Sequence, residues 1–500
     1  MSARLALAAA LIALAIATPG ATARTLHVGA GGDLQRALDT ARGGDQIVLA
    51  RSARFVGPFT LPAKRGRRWI TVRGERWPVR GRGASRRAGP AHAAALPDLV
   101  SPGRGEPALR TAPGAHHWRL IGLELRKGAP QDVVYDLVAL GSTGAEQDRL
   151  AEVPHDLVLY RVWVHGDPTG ELKRGIALNS ARTRIVNSTV SDVGVRGQDS
   201  QAIGGWNGPG PFTIANDRLQ GAAENVMFGG ATPSIPGLVP SDIVVRANLI
   251  DKPLQWKASH RYTVKNLLEL KNARRVRIVD NVFAHNWLDG QTGIAIVLTP
   301  RGENGAAPWA VVRDVRFERN VVDDAPGGVA ILGHDDSGPS RLTRNVTVAG
   351  NLFTRLGSEP LLKISGATDV RFDHNTSLQA GSVIVAYGEP TRRFAVTNSI
   401  ARHNRYGVFG DAVGTGRPAL RAFFPGARFA GNVLVGGERT LYDGRNFFPP
   451  TLAAVGFVGR GPARWALRAT SPYRGRATDH RDPGADIRAV SAAAARLKVS

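Results

Sequence analysis

Apolar and polar residues alternate in short bursts along most of this chain, and the bursts resemble one another. The unit is an alternating segment, an asparagine and then a further strand-like residue or two: TRIVNSTV, FTIANDRL, IVVRANLI, VRIVDNVF, VRFERNVV, VTVAGNLF, VRFDHNTS, FAVTNSIA and FAGNVLV. A period of two marks each segment as a strand with one buried face. Asparagine marks its end as a turn, because it tolerates left-handed backbone and bonds neighbouring peptides. The shared asparagines are Asn187, Asn216, Asn248, Asn281, Asn320, Asn351, Asn375, Asn398 and Asn432. A second apolar-rich strand precedes each unit: RGIALN, QAIGGW, ENVMFG, NLLELK, GIAIVLT, GVAILG, PLLKIS, SVIVAY and YGVFGD. Two or three short strands per repeat, stacked many times, predict a solenoid of parallel strands whose asparagines form an internal ladder from coil to coil.

Successive asparagines are 23 residues apart at Asn375 and Asn398 but 39 apart at Asn281 and Asn320. A bare coil of three short strands needs roughly 20 residues. The coils from Asn187 to Asn320 therefore carry inserted loops, and insertions on a repeat scaffold usually build its binding face. Residues 33–42, DLQRALDTAR, have amphipathic helix spacing and predict a cap over the first coil, ahead of a strand from Gln46 to Ala50. The repeat fades after residue 450. The expected organisation is one solenoid domain over 24–450 and a closing tail over 451–500, with a helical segment around Ala489 to Leu497.

The first 23 residues read differently. One cation in Met1–Arg4, an apolar run from Leu5 to Thr18 and the A-x-A triplet Ala21-Thr22-Ala23 form a signal-peptide pattern. The run is shorter than the roughly 20 apolar residues that span a bilayer. The expectation is export to the periplasm or the medium, with no transmembrane anchor after cleavage. The chain has no cysteine, which excludes disulfides, thiolate metal sites and a cysteine nucleophile.

Charge adds a question. The net charge is +24, and between Arg51 and Arg87 twelve cations face one acid, Glu75. Export and the lack of a nucleic-acid motif argue against nucleic acid as partner. An acidic polysaccharide fits better, and a solvated arginine-rich loop accounts for the same stretch without a partner. A monomer is expected.

At this point the chain resembles a known superfamily. The cap-then-strand run DLQRALDTARGGDQIVLA and the asparagine ladder are similar to the right-handed parallel β-helix proteins of the pectate lyase superfamily. GQDSQAIGGWNGPGPF, AENVMFGGATPSIPGLVPSDI, VKNLLELKNARRV and NWLDGQTGIAIVLTPR resemble a group of exported bacterial β-helix proteins without an assigned activity. The resemblance implies an all-β solenoid and leaves function open, because this fold carries lyases, hydrolases, epimerases and non-catalytic adhesins.

Candidate chemistry sits on the looped coils. In NLLELK, Leu268 and Leu270 point to one side and Glu269 and Lys271 to the other. Neighbouring coils bring Glu224 and Asn225 from one side and Thr299 and Arg301 from the other, with Asp199 and Gln201 a coil further back and His334, Asp335 and Asp336 next in the stack. Four of the nine lysines, Lys252, Lys257, Lys265 and Lys271, fall within twenty residues. An ammonium, unlike a guanidinium, can give up its proton when its environment lowers its pKa.

Such a wall suits β-elimination of a uronic-acid polymer, which needs the substrate carboxylate neutralised, a base for the C5 proton and a cation or acid near the leaving oxygen. The run E-L-K-N followed by a Gly-containing strand ending near Arg is similar to the chondroitinase B and alginate lyase family. That resemblance implies Lys271 as base and Arg301 as acid or oxyanion stabiliser. It also implies a calcium site on Glu269 and Glu224, to which Asp199 is the added candidate. Leu270, Asn272 and Pro300 depart from the family's pattern. Candidate substrate contacts are Gln201, Trp206, Asn225, Lys252, Trp256, Lys257, Lys265, Trp287 and His334. The alternatives are a C5-epimerase, a glycoside hydrolase using Asp289, Asp335 and Asp336, and a non-catalytic groove with Trp206, Trp256 and Trp287 as stacking platforms.

Overall fold

A computed structural model describes residues 22–76, 87–128 and 133–498. The signal-peptide pattern and Arg80, Arg82 and Arg86 of the basic stretch lie outside the described residues. Three long sheets account for the strands: one of fourteen strands, from Thr25–Val28 to Arg428–Ala430, and two of thirteen. The second runs from Arg54–Val56 to Val433–Val435, and the third from Phe59–Leu61 to Gly414–Thr415. Each coil visits them in turn, as in Ala273–Val279, Val282–Ala284 and Ile294–Leu298. Among the described residues, strand pairs within the sheets are parallel except where Val408–Gly410 meets Gly414–Thr415. The chain is a right-handed parallel β-helix, the hand expected of parallel crossovers.

The strands named above fall into place. Every segment ending in the shared asparagine belongs to the first sheet, and every preceding strand to the third. Their inward residues form one continuous apolar core reaching from Val28 to Tyr442, with stacked rings such as Phe212 on Phe228 and Phe394 on Phe424, the latter 4.2 Å apart.

The ladder needs a correction of one residue. The turn from first to second sheet has two key positions, a left-handed residue and then a buried ladder residue. Asn248, Asn281, Asn320, Asn351, Asn375 and Asn432 hold the ladder position, each buried. The side-chain oxygen of Asn320 accepts from the backbone N–H and the amide of Asn281, both at 2.9 Å, and its own amide donates to Ile278 O. Asn187, Asn216 and Asn398 instead hold the left-handed position, with φ of 57°, 55° and 56°. Beside them Ser188, Asp217 and Ser399 take the ladder place, and Asn446 extends it beyond Asn432. Asparagine suits both positions, so the repeat slipped by one residue in those three coils.

A helix forms over Leu34–Thr40 and packs Leu34 and Leu38 into the core beside Phe59–Leu61, the terminal strand of the third sheet. Helix Arg417–Phe423 lies against Val408–Gly410, near the last strands, with Ala419, Phe423 and Phe424 in the core. Residues after 450 run back along the outside of the second sheet, where apolar side chains need cover. Ile487 and Val490 pack with Leu352, and Leu497 with Val282 and Ala284. Arg87, from the basic stretch, is buried there. It donates to Asn216 O and Leu497 O, both at 3.0 Å, and burial pushes its pKa down to about 10. At least this end of the stretch is a structural strap and not a solvated loop.

Candidate functional site

The candidate wall is the outer face of the third sheet. Register aligns Arg174 with Gln201, Gln201 with Glu224 and Glu224 with Asn266, one residue per coil. These side chains bond in sequence. Arg174 forms an ion pair with Asp136 and donates to Gln201 Oε1 at 3.0 Å, and Gln201 Nε2 donates to Glu224 Oε2 at 2.8 Å. Farther along, Asn266 Nδ2 lies 3.4 Å from Glu269 Oε2, and the same oxygen lies 3.4 Å from Lys271 Nζ. Asn266 and Glu269 share a face because Leu267 and Leu268 both enter the core, a local break in the strand's alternation.

Glu224 is fully buried, and its Oε1 has no hydrogen-bond partner; neither has Asn266 Oδ1 in the next coil. Desolvation, together with repulsion from Glu269 and Asp199, pushes the Glu224 carboxyl up to about 8. Lys271 goes the other way. Burial disfavours its charge, but Glu269, Glu224 and Asp199 outweigh burial and hold its pKa above the ordinary lysine value. Asp199 is likewise desolvated, yet its ion pair with Lys265 keeps it below the carboxylate range. Gly230, at φ +98°, leaves room for Lys271: a Cβ there would stand 3.1 Å from its Cδ.

Arg301 joins this wall from the next coil, its backbone N–H bonding Lys271 O at 2.8 Å. Its guanidinium is part-exposed, 3.8 Å from Asp335. His334 is exposed beside it, with Nδ1 3.2 Å from Ser340 Oγ. At the other end of the wall Trp206 is half-buried under the Arg174 guanidinium, 4.8 Å from its ring. Asp136 there borders a pocket of about 510 Å³ that also holds Arg110, Tyr135, Glu146 and Asn179.

Several expected contacts do not face this wall. Trp256 and Trp287 are buried, at 7% and 8% exposure, with Tyr262 and Val264 in a cluster between helix Leu254–Ser259 and the following loops. They cannot offer a face to a sugar ring. Lys252 is also fully buried, and its Nζ bonds Gly221 O, Asn225 Oδ1 and Asn266 O at 3.0, 2.8 and 2.8 Å. Asn225 is buried in that same network, its amide donating to Leu219 O and Asp251 O. Both residues tie coils together beneath the wall. Lys257 is exposed on its short helix. Asp289 is bound to Arg196 and to the Val264 N–H, so it anchors a loop.

The expected calcium ligands do not assemble. Among the described residues, the carboxylate oxygens of Asp199, Glu224 and Glu269 form no cluster of metal-binding dimensions. Lys265 pairs with Asp199 and Lys271 with Glu269, so ammonium groups stand where a hard cation would. A calcium ion does not fit this arrangement.

Repeat alignment could have revealed Arg174 and Asn266, since both stand in register with Gln201 and Glu224 on third-sheet strands. A separate group, His117, His155 and Asp156, gathers three ligand-type atoms within 4.8 Å on the first sheet, where Asp156 is already held by Arg182.

Protein-family models and curated proteins give no match to this chain. Solved structures do. Pectate lyase Pel9A is similar at 11% identity and TM-score 0.38, over 93% of this chain and 96% of that one. The PL6 family alginate lyase AlyGC is similar at 11% identity and TM-score 0.44, over 84% of this chain and 53% of that one. The catalytic unit of a GH87 alpha-1,3-glucanase from Streptomyces thermodiastaticus is similar at 11% and 0.47, over 86% and 71%. At such identities the likeness concerns the coiled path of the chain, and the three stacked sheets establish on their own that this path is a right-handed parallel β-helix.

Proposed function

We propose that this protein acts on an acidic polysaccharide, cleaving uronic-acid linkages by β-elimination at the Glu224–Glu269–Lys271–Arg301 wall. The observation that carries the reading is the lysine pair set among buried and half-buried carboxyls, with Lys271 and Lys265 flanked by Arg301 on an outward face. A uronate carboxylate seated there meets ammonium and guanidinium charge without a metal ion. Lys271 is the candidate base for the C5 proton and Arg301 the group that stabilises the developing charge. Glu224 and Gln201 position the wall from behind.

The base role has a consequence. The acidic groups around Lys271 hold its proton, so the neutral amine is scarce at pH 7 and grows as pH rises. The same fact favours a second reading, in which the ammonium binds the polymer and no bond is cleaved. Incubation with alginate, pectate and glycosaminoglycans separates the two. Elimination leaves unsaturated ends that absorb in the near ultraviolet, and binding alone leaves none.

A further inference from the structure

The outer face of the first sheet carries a second feature, unrelated to the wall. Arg274 pairs in register with Arg313, and Arg313 with Arg344, on three successive strands. Like charges directly opposite one another on parallel strands, about 4.8 Å apart, are destabilising. The sequence nonetheless adds Arg341 and Arg393 around the same concavity, a pocket of about 430 Å³.

Neutralisation inside the pocket is incomplete. Its one carboxylate, Asp369, is taken up by both donors of Arg393. Asp314, at the rim, lies 3.8 Å from Arg313 and is also bound by Asn345 at 2.7 Å. Arg274 donates to the hydroxyl of Ser241 at 2.8 Å, a neutral partner. Val239, Val311 and Leu342 supply an apolar floor and no aromatic ring lines the pocket, so a nucleobase has nothing to stack on.

We infer that the Arg274–Arg313–Arg344 row is an oxoanion site that takes successive acid groups of a linear acidic glycan. Guanidinium forks match carboxylate and sulfate oxygens two at a time, and a row running along the helix axis matches charges repeated along a polymer. The site assigns part of the +24 charge to a surface that the proposed cleavage does not use.

Calorimetric titration with an alginate hexasaccharide tests this in a Lys271→Met background, which removes the proposed base of the wall. Binding that weakens with salt is expected to remain there, and adding Arg341→Gln and Arg344→Gln should lower affinity at least tenfold. Both arginines are exposed, so the fold is expected to hold, with circular dichroism as the check. Arg344→Lys, which keeps the charge and loses the fork, should fall between. Unchanged affinity in the double glutamine variant overturns the inference. So does tighter, arginine-dependent binding to phosphatidylglycerol vesicles or to single-stranded DNA than to the hexasaccharide. Because cleavage is disabled in this background and the arginine substitutions leave every wall residue in place, failure here leaves the cleavage reading untouched, and the converse holds as well.

Discussion

Glu269, on the strand Asn266–Leu270, and Lys271, the residue just after it, meet at 3.4 Å, Oε2 to Nζ, with both side chains buried. The carboxylate holds the ammonium's proton, and Glu224 and Asp199 add to the effect. If Lys271 is the base, kcat/KM rises with pH through a pKa above the ordinary lysine value of about 10.4. Glu269→Gln removes the nearest negative charge and should move that limb to lower pH. A profile unchanged by Glu269→Gln would contradict the pairing's role.

Burial of neutral acids gives stability a pH dependence. Glu224 and Asp217 are fully buried, and desolvation raises both to about 8, against ordinary values of about 4. Between those limits the folded chain keeps protons that the unfolded chain releases, so stability is greatest at the acidic side and falls as pH rises toward 8. Lys252, which burial pushes down to about 7, acts oppositely. From about 7 to about 10.4 the unfolded chain binds its proton and stability recovers. Thermal unfolding across pH 4–8 should show the fall, and Glu224→Gln should flatten roughly half of it, as one of two such carboxyls.

The two turn positions predict unequal costs. Asn320→Ala strands the Asn281 N–H and the Ile278 carbonyl inside the coil, and should cost about 3 kcal/mol. Asn187→Gly keeps the left-handed backbone and loses one bond, from Asn216 at 2.7 Å, so it should cost about 1 kcal/mol or less. Urea unfolding midpoints compare them.

Tryptophan burial separates folding from binding. Trp256→Ala empties a closed cluster and should destabilise by about 3–5 kcal/mol. Trp206→Ala, at a half-buried position beside the wall, should weaken glycan binding with little change in unfolding.

Much of this was legible in the chain. Alternation and recurring asparagines describe the coils because a solenoid repeats one local solution. The ladder's exact register was not, since Asn187 and Asn248 look alike although one is left-handed and the other bridges coils. Glu269 and Lys271 were legible from strand period, whereas the break at Leu267–Leu268 that brings Asn266 to the same face was not. Trp256, Trp287 and Lys252 were misjudged because they lie beyond strand periodicity, in loops and strand ends whose burial is decided by what folds over them. The calcium set failed for a related reason: sequence put three acids in neighbouring coils, and only the side chains show that lysines answer two of them.

Elimination across uronic-acid linkages at this wall would use Lys271 and no metal. Near-ultraviolet absorbance during incubation with alginate, pectate and glycosaminoglycans at alkaline pH tests it most directly. Absorbance is expected to grow on at least one polymer, to be unchanged by a chelator and to be lost in Lys271→Met. No absorbance on any of them, with or without calcium, or full activity in Lys271→Met, would contradict it.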